Sequence, residues 1–192
     1  MKKYFKYILF LLIVLSIILS YYNIHWYLKD NIKFKENNIE KKYLSLAKKY
    51  KDKKFPVVEI KRIIDKKIEN TKIDNGLIIL LSNNSCNPCQ LRELKNIKAL
   101  LDTLKFKISV YSIFVSNYDY IEALRLKKLS NITSNFYYMT NPLLAEFNFL
   151  GIYPIIYFIR NQKIISTLIP IPNNESFSNR FYKNIEIILN KN

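Results

Sequence analysis

An apolar run of strand length leads, through a short polar turn, into the chain's only two cysteines. The run Gly76–Ser82 carries no charged side chain, which is typical of a central strand that is buried on both faces. After Cys86 and Cys89, apolar residues recur at helical spacing, at Leu91, Leu94, Ile97, Leu101 and Leu104. This spacing predicts a helix that packs against a sheet. The two cysteines therefore lie where a buried strand passes into a helix.

Strand and helix patterns continue to alternate after this helix. Residues 108–115 are predicted to form a second buried strand. Residues 119–129 are predicted to form a helix with Ile121, Leu124 and Leu129 on its inner side. A strand, a crossover helix and a second strand predict a parallel pair of strands.

The next segments predict a short strand, a short helix and a hairpin. Residues 136–139 form the expected strand, and residues 143–149 form the expected helix. Two strand-like runs follow at 153–159 and 163–169, separated only by the polar residues 160–162. So tight a polar connection favours an antiparallel pairing of the two runs.

The last segment predicts a capped helix that completes the fold. Asn174 has the side chain of a helix N-cap, and Phe177, Phe181, Ile185 and Ile188 follow along one helical face. Together these elements predict an α/β fold, a three-layer sandwich with a mixed central sheet and helices on both faces.

The N-terminus predicts a membrane anchor. Residues 7–24 carry no charged side chain over 18 residues, just enough to span a bilayer as a helix. Lys2, Lys3 and Lys6 precede this run. Aromatic residues suited to a membrane interface follow it, at Tyr21, Tyr22, Trp26 and Tyr27. A cleaved signal peptide is the alternative, but no small-x-small cleavage pattern follows. We therefore expect residues 1–29 to form an uncleaved, single-pass transmembrane helix in contact with the lipid bilayer.

Positive residues flank both ends of this run, so charge does not decide its orientation. Long domains that follow a first hydrophobic segment translocate largely regardless of charge. We therefore expect the N-terminus to be cytoplasmic and residues 30–192 to face the periplasm or the outer side of the cell membrane. Disulfide chemistry is favoured in such a compartment.

Between the anchor and the first buried strand, the patterns are weaker. Residues 30–54 are expected to form a basic helical stalk, with apolar positions at Phe34, Ile39, Tyr43, Leu44, Ala47 and Tyr50. The globular domain is expected to comprise residues 55–192. Within it, residues 55–60 predict a short edge strand and residues 61–70 a helical turn or two.

The net charge of +16 raises the question of nucleic-acid binding. Only five of the 31 basic residues are arginines, whereas phosphate and base recognition favour the bidentate guanidinium group. The lysines are spread along the chain with abundant asparagine and isoleucine. This pattern indicates a compositional bias with some attraction to an anionic membrane surface, and we expect no nucleic-acid partner.

The cysteine pair predicts redox chemistry. Two thiols three residues apart on a first helical turn can close a disulfide, and the free amides and positive dipole end of the helix stabilise a thiolate. Cys86 is therefore the candidate nucleophile, and Cys89, more buried one turn on, is the candidate resolving thiol. Pro88 suits the first turn, where its missing N–H costs no helical bond. Asn87 and Pro88 are expected to tune the redox poise.

A zinc site and a purely structural disulfide are the alternative interpretations of the pair. A zinc site needs four ligands, and beyond the two thiols the chain offers only His25, at the membrane end. A purely structural disulfide would close so short a loop that it would stabilise the chain little. We therefore expect a redox pair, with no metal and no cofactor.

These motifs resemble the thioredoxin superfamily, over roughly residues 55–190. The nearest resemblance is to membrane-anchored TlpA/ResA-like proteins and redoxin-type thiol-disulfide reductases. It rests on the CxxC pair after a core strand and on residues 151–154, Gly-Ile-Tyr-Pro, which open the later hairpin. The resemblance implies that Pro154 is a cis-proline beside the cysteines and that the backbone of Tyr153 docks the substrate. An ordinary edge-strand proline is the alternative for Pro154.

The sequence also departs from the family pattern. Ser85 stands where an aromatic residue commonly precedes the first cysteine, and Leu80 stands where thioredoxins often bury a carboxylate. Glu93 lies one residue beyond the position of the corresponding acid in ResA-like proteins. The proton acceptor for Cys89 is left open by the sequence, with water and Glu93 as candidates.

Three functions follow as hypotheses. The resemblance implies a membrane-tethered thiol:disulfide oxidoreductase that acts as a reductant on protein disulfides outside the cytoplasm and is recharged by a membrane or extracytoplasmic redox partner. A thiol peroxidase is a second enzymatic hypothesis, although the Pro-x-x-x-Thr-x-x-Cys element of that group is missing, since Asn83 stands three residues before Cys86. A non-catalytic anchored binding or scaffold domain is the third.

Overall fold

The protein is described here from a computed structural model. The structure describes residues 2–63, 68–83, 85–104, 108–115, 121–132, 134–139, 148 and 150–190. The chain divides into two compact units, Met1–Lys42 and Tyr43–Asn192.

The first unit is helical. Helix α1 comprises Lys2–Lys48, so it begins in this unit and ends in the second. The side chains of Tyr21, Tyr22, Trp26 and Tyr27 are each about two-thirds exposed. Within the described part of the chain, no helix combines the length and the apolar character that a membrane crossing requires. The membrane-spanning assignment of residues 7–24 therefore stays a prediction.

In the second unit, the described residues form one mixed sheet of seven strands. The strands are β1 (Val58–Arg62), β2 (Ile68–Thr71), β3 (Gly76–Ser82), β4 (Val110–Val115), β5 (Asn135–Met139), β6 (Ile155–Arg160) and β7 (Lys163–Leu168). Their order across the sheet is β2-β1-β5-β4-β3-β6-β7. Strand β3 pairs in parallel with β4 and antiparallel with β6, so it occupies the centre as expected.

Within the described residues, three helices connect or follow these strands: α2 (Asn87–Thr103), α3 (Ile121–Ser130) and α4 (Glu175–Asn190). Each follows a predicted segment to within a few residues. The Phe177 N–H donates to the Asn174 side chain at 3.1 Å, which confirms the predicted cap of α4. Strands β6 and β7 form the predicted antiparallel hairpin.

The core has two parts because successive side chains of a strand point to opposite faces of the sheet. Leu77, Ile79 and Leu81 pack with side chains of α2, α3 and α4 on one face. Ile78 and Leu80 belong to the cluster on the other face. Full burial of a leucine or isoleucine contributes about 1.5–3 kcal/mol, so the unbroken apolar run fixes β3 at the centre.

The N-terminal edge of the sheet differs from the prediction. The expected helix over residues 61–70 is wrong, because Lys61 and Arg62 end β1 and residues 68–71 form β2, which pairs antiparallel with β1. The expected edge strand at residues 55–60 is also wrong in its position, because β1 lies between β2 and β5. Pairing with a neighbouring strand here overrides weak local helix signals.

The buried face of α3 also differs from the prediction. Its buried side chains are Ala123, Leu126 and Ser130, whereas Ile121, Leu124 and Leu129 are 65%, 40% and 51% exposed. A small alanine at the contact face lets the helix approach its neighbours closely, and this geometry determines which face is buried. The predicted helix at residues 143–149 lies almost wholly outside the described residues.

The globular unit begins earlier than the predicted residue 55. Ala47 and Tyr50, which the stalk prediction included, are buried among core side chains of the second face. Tyr50 and Phe55 both pack their rings against Tyr157, at centroid distances of 5.4 and 5.8 Å. The last turns of α1 and the segment after it therefore cover the sheet face opposite α2.

Candidate functional site

The two cysteines form a disulfide at the start of α2. Their Cα atoms are 5.2 Å apart. Cys86 is the N-cap residue of the helix, with extended backbone angles, and its Sγ accepts a hydrogen bond from the Cys89 N–H at 3.2 Å. Cys86 is exposed and Cys89 is half-buried. The more accessible sulfur is thus the one at the helix N-terminus, where free amides favour a thiolate.

Gln90 links the start of α2 to the end of the central strand β3 by hydrogen bonds. Its side chain is fully buried. The Ser82 N–H donates to Gln90 Oε1 at 2.8 Å, and Gln90 Nε2 donates to the Ser82 carbonyl at 2.9 Å. The position of the cysteine pair relative to β3 is therefore held by two buried hydrogen bonds. Sequence reasoning missed this residue, although a glutamine directly after the CxxC motif was a visible signal.

Asn87 lies between the two cysteines in sequence, and both polar atoms of its side chain are hydrogen-bonded. Its Nδ2 donates to Glu122 Oε1 at 2.9 Å, and its Oδ1 accepts from Gln90 Nε2 at 3.1 Å. Glu122 is in the first turn of α3. Helix α3 therefore touches the CxxC loop directly through Glu122, a residue that sequence reasoning did not select.

The cysteine loop and the hairpin loop meet at Ser85 and Tyr153. The Ser85 hydroxyl donates a hydrogen bond to the Tyr153 carbonyl oxygen. The Tyr153–Pro154 peptide bond is cis, the geometry that the resemblance implied. Pro154 is buried and Tyr153 is half-buried. The structure thus brings the two sequence motifs together, and the docking role of Tyr153 stays a prediction.

Glu93 lies one turn after Cys89 and is fully buried. Its carboxylate accepts hydrogen bonds from Ser178 Oγ at 3.0 Å and Tyr182 OH at 3.0 Å. Arg92 Nε forms an ion pair with it, also at 3.0 Å. Burial raises the pKa of Tyr182 well above its ordinary value, and the adjacent Glu93 carboxylate is the second cause of this rise. This acid therefore ties α2 to α4 through the Ser178 and Tyr182 hydroxyls.

Leu80 stands where the resemblance to thioredoxins implies a buried carboxylate. Its side chain is fully buried in the core cluster on the sheet face opposite α2. Leu80 therefore supplies no carboxylate at that position. Glu93, whose oxygens are engaged as described, is the acid nearest in sequence after Cys89.

A tyrosine cluster supports the hairpin loop from the opposite side. Tyr50 OH donates to Asn148 Oδ1 at 3.4 Å, and Asn148 Nδ2 donates to the Ile152 carbonyl at 3.0 Å. Burial raises the pKa of Tyr50, Tyr153 and Tyr157. The loop that carries the cis-proline is thus linked through Asn148 to Tyr50, which lies in the segment predicted as the stalk.

An open groove runs from the disulfide along α2. It is lined by Cys86, Pro88, Cys89, Arg92, Lys95 and Glu175, among others. The groove gives a partner molecule access to the sulfur of Cys86. Among the described residues, no group of three or more histidine, cysteine, aspartate or glutamate side chains lies close enough together to hold a metal ion.

No protein-family model and no curated protein matches this sequence, but solved structures match its fold. The thioredoxin domain of a thiol-disulfide oxidoreductase from Bacteroides vulgatus gives a TM-score of 0.57 at 12% identity, over 72% of this chain and 97% of that one. A thiol:disulfide interchange protein from a Bacteroides species gives 0.55 at 13% identity, over 73% and 90%. The chain has a thioredoxin-like fold.

A third thioredoxin-like structure, a thio-disulfide isomerase from Thermus thermophilus, gives a TM-score of 0.50 at 13% identity, over 68% of this chain and 94% of that one. Identities this low establish the fold alone, because one fold hosts many functions. The predicted thioredoxin-like sheet is therefore confirmed, and the chemistry has to be argued from the site.

Proposed function

We propose that this chain is a thiol:disulfide oxidoreductase that exchanges disulfides with other proteins through Cys86 and Cys89. One observation carries the proposal. An exposed sulfur caps the N-terminus of α2 in a disulfide with the next helical turn, and Ser85, the residue before it, contacts the cis-proline loop. A structural crosslink gains nothing from exposure, whereas a nucleophile requires it.

In the reducing direction, the reaction starts from the dithiol. The Cys86 thiolate attacks one sulfur of a substrate disulfide, and the other substrate sulfur leaves as a thiolate that takes up a proton. Cys89 then loses its proton to water and attacks Cys86 Sγ, which releases the second substrate thiolate. Two electrons pass to the substrate, and the enzyme is left with the Cys86–Cys89 disulfide. A dithiol of a redox partner must reduce this disulfide before the next turnover.

Substrate docking is assigned to the hairpin loop. The Tyr153 carbonyl points to the cysteine loop, since Ser85 donates to it. An extended substrate segment can pair with the backbone of Tyr153 as an added strand and bring its sulfur to the exposed Cys86. Pro154, buried beneath this loop, holds the backbone in place.

Membrane tethering is part of the proposal. The uncharged run at residues 7–24, its preceding lysines and its aromatic flank support a single-pass anchor with a cytoplasmic N-terminus. The cysteine pair would then work outside the cytoplasm, where disulfides persist, as a reductant of secreted or membrane proteins. A membrane or extracytoplasmic dithiol protein would recharge it.

The test is disulfide reduction by the full-length protein in detergent micelles, with insulin and a disulfide-bridged peptide as substrates. Wild type should accelerate reduction by dithiothreitol, Cys86→Ser should not, and Cys89→Ser should accumulate mixed disulfides with the substrate. Equal rates for wild type and Cys86→Ser would refute the proposal.

A non-catalytic binding domain is the second candidate, favoured by the buried Leu80 where related folds hold an acid. It requires a disulfide that resists cellular thiols and a Cys86 that does not react with alkylating agents after reduction. Peroxide consumption by the reduced protein, abolished in Cys86→Ser, would point instead to a thiol peroxidase.

A further inference from the structure

The side chain of Asn87, the residue directly after the nucleophilic cysteine, is hydrogen-bonded to another helix. Asn87 Nδ2 donates to Glu122 Oε1 at 2.9 Å, while Gln90 Nε2 donates to Asn87 Oδ1 at 3.1 Å. The Asn87 amide is thus oriented by two partners, one of them a carboxylate. Asn87 is half-buried, so solvent competes weakly for these bonds.

Among the described residues, the ion-pair partner of Glu122 is an exposed arginine. Its side chain is 19% exposed, and its ion-pair partner Arg125 lies 3.6 Å away with a side chain that is 66% exposed. An exposed guanidinium group is well hydrated and screened by salt, so it offsets a sheltered carboxylate incompletely. The Glu122 carboxylate therefore brings a negative charge against Asn87, and Arg92, Lys95 and Glu175 are charged side chains that line the groove beside the two cysteines.

Two opposing effects meet at Cys86. The start of α2 stabilises an anionic sulfur, and the Cys89 N–H already points at Cys86 Sγ. A nearby carboxylate disfavours the same anion, because like charges repel. Glu122 also accepts a hydrogen bond from the Asn87 amide, which removes one of its two N–H donors from any hydrogen bond to a thiolate. Both contributions of Glu122 act in the same direction.

We propose that Glu122 is a positioning residue that sets the redox poise of the cysteine pair: through Asn87 it holds a negative charge beside Cys86 and thereby favours the disulfide over the dithiol. Its biological meaning rests on the proposed function. An oxidoreductase whose reduced form is less stabilised is a stronger reductant. Contact with α3 therefore biases this chain towards reduction of its substrates.

The first experiment measures the equilibrium of the full-length protein with reduced and oxidised glutathione. Glu122→Gln keeps an oxygen that can accept from Asn87 but removes the charge. We expect the equilibrium constant to shift about two- to tenfold towards the dithiol, together with a lower pH midpoint for iodoacetamide alkylation of Cys86. Glu186→Gln, the same change on α4 far along the chain from the cysteines, should leave both values unchanged.

Two further measurements separate a charge effect from a structural one. Arg125→Gln removes the compensating cation and should shift the equilibrium in the opposite direction, towards the disulfide. The effect of Glu122→Gln should shrink in about 1 M salt, where screening is strong. An unchanged equilibrium in Glu122→Gln, or shifts of the same sign in both variants, would overturn the inference.

Failure of this inference can be distinguished from failure of the proposed function. If wild type reduces insulin but Glu122→Gln has the wild-type equilibrium, the positioning role is wrong and the oxidoreductase stands. If the equilibrium shifts as expected but wild type catalyses no disulfide reduction, the positioning role stands and the proposed function is wrong.

Discussion

The Tyr182 hydroxyl lies 3.0 Å from the carboxylate of Glu93, and both side chains are buried. The two residues are 89 positions apart in sequence, so their contact joins α2, which carries the cysteines, to α4 at the end of the chain. Ser178, Arg92 and Asn96 also contact the same carboxylate. A buried charge is costly unless it is paired and hydrogen-bonded, which makes this contact sensitive to substitution.

Tyr182→Phe should therefore lower the free energy of unfolding by about 1–3 kcal/mol, because one acceptor position of Glu93 loses its donor in a buried site. Urea unfolding followed by near-ultraviolet circular dichroism measures the change. Tyr111→Phe is the control, since the Tyr111 hydroxyl has no hydrogen bond within the described residues and its loss should change the free energy little. Equal losses in both variants would contradict the role of the Glu93 contact.

The same tyrosine predicts a loss of stability at alkaline pH. Burial raises the pKa of Tyr182 in the folded state, whereas in the unfolded chain a tyrosine releases its proton at about pH 10. Above that pH the unfolded state binds fewer protons than the folded state, so the free energy of unfolding falls as pH rises. Urea unfolding of the oxidised protein from about pH 8 to about pH 11 should show a steeper decline for wild type than for Tyr182→Phe.

Gln90→Leu should destabilise the protein while preserving the volume of a buried side chain. The substitution removes both hydrogen bonds to the Ser82 backbone, at an expected cost of about 1–3 kcal/mol. Lys95→Ala, an exposed change on the same helix, should stay within about 0.5 kcal/mol of wild type. Both values follow from urea unfolding, and a Gln90→Leu variant as stable as Lys95→Ala would refute the anchoring role.

Ser85→Ala should improve substrate binding if Tyr153 docks the substrate. The Ser85 hydroxyl occupies the Tyr153 carbonyl, so a substrate N–H must share or displace it. Removal of the hydroxyl ends this competition and should strengthen substrate binding by about 0.5–1.5 kcal/mol. This change corresponds to a roughly two- to tenfold lower KM for peptide disulfides, with little change in kcat. Ser85→Thr keeps the hydroxyl and should retain the wild-type KM. A KM that rises in Ser85→Ala would rule out this competition.

Gly76→Ala should be far more disruptive than Gly151→Ala. A Cβ atom at Gly76 would lie 2.5 Å from the Ser109 carbonyl oxygen, which the Leu77 N–H binds at 2.9 Å. At Gly151 the φ angle is +59° and nothing lies within 4 Å of the added carbon, so only the backbone cost of about 1–2 kcal/mol applies. Thermal unfolding of the two variants should show the larger drop in Tm for Gly76→Ala, and the reverse order would contradict the close approach at Ser109.

Some of this architecture was predictable from local sequence patterns alone. The uninterrupted apolar run identified β3, and the periodic leucines identified α2. Three polar residues between two apolar runs identified the β6–β7 hairpin, and Asn174 marked the start of α4. Each of these signals lies within one element, where residue spacing and capping chemistry act over a few positions.

Other features depended on contacts between distant segments. Propensity suggested a helix at residues 61–70, but pairing of β1 with β2 and β5 made this region part of the sheet. Periodicity selected Leu124 for the inner face of α3, but the helix packs through Ala123 and Leu126. An isolated pattern does not specify which neighbour will bury it.

The sequence by itself determined that two cysteines open a helix after a buried strand, because a run of apolar residues and a proline in the first turn leave few alternatives. Only the tertiary structure decided which side chains surround them. Ser85 meets Tyr153, and Asn87 meets Glu122, across 68 and 35 positions of the chain. Hydrogen bonds between such distant residues exist only after the sheet and helices have packed, so no local pattern encodes them.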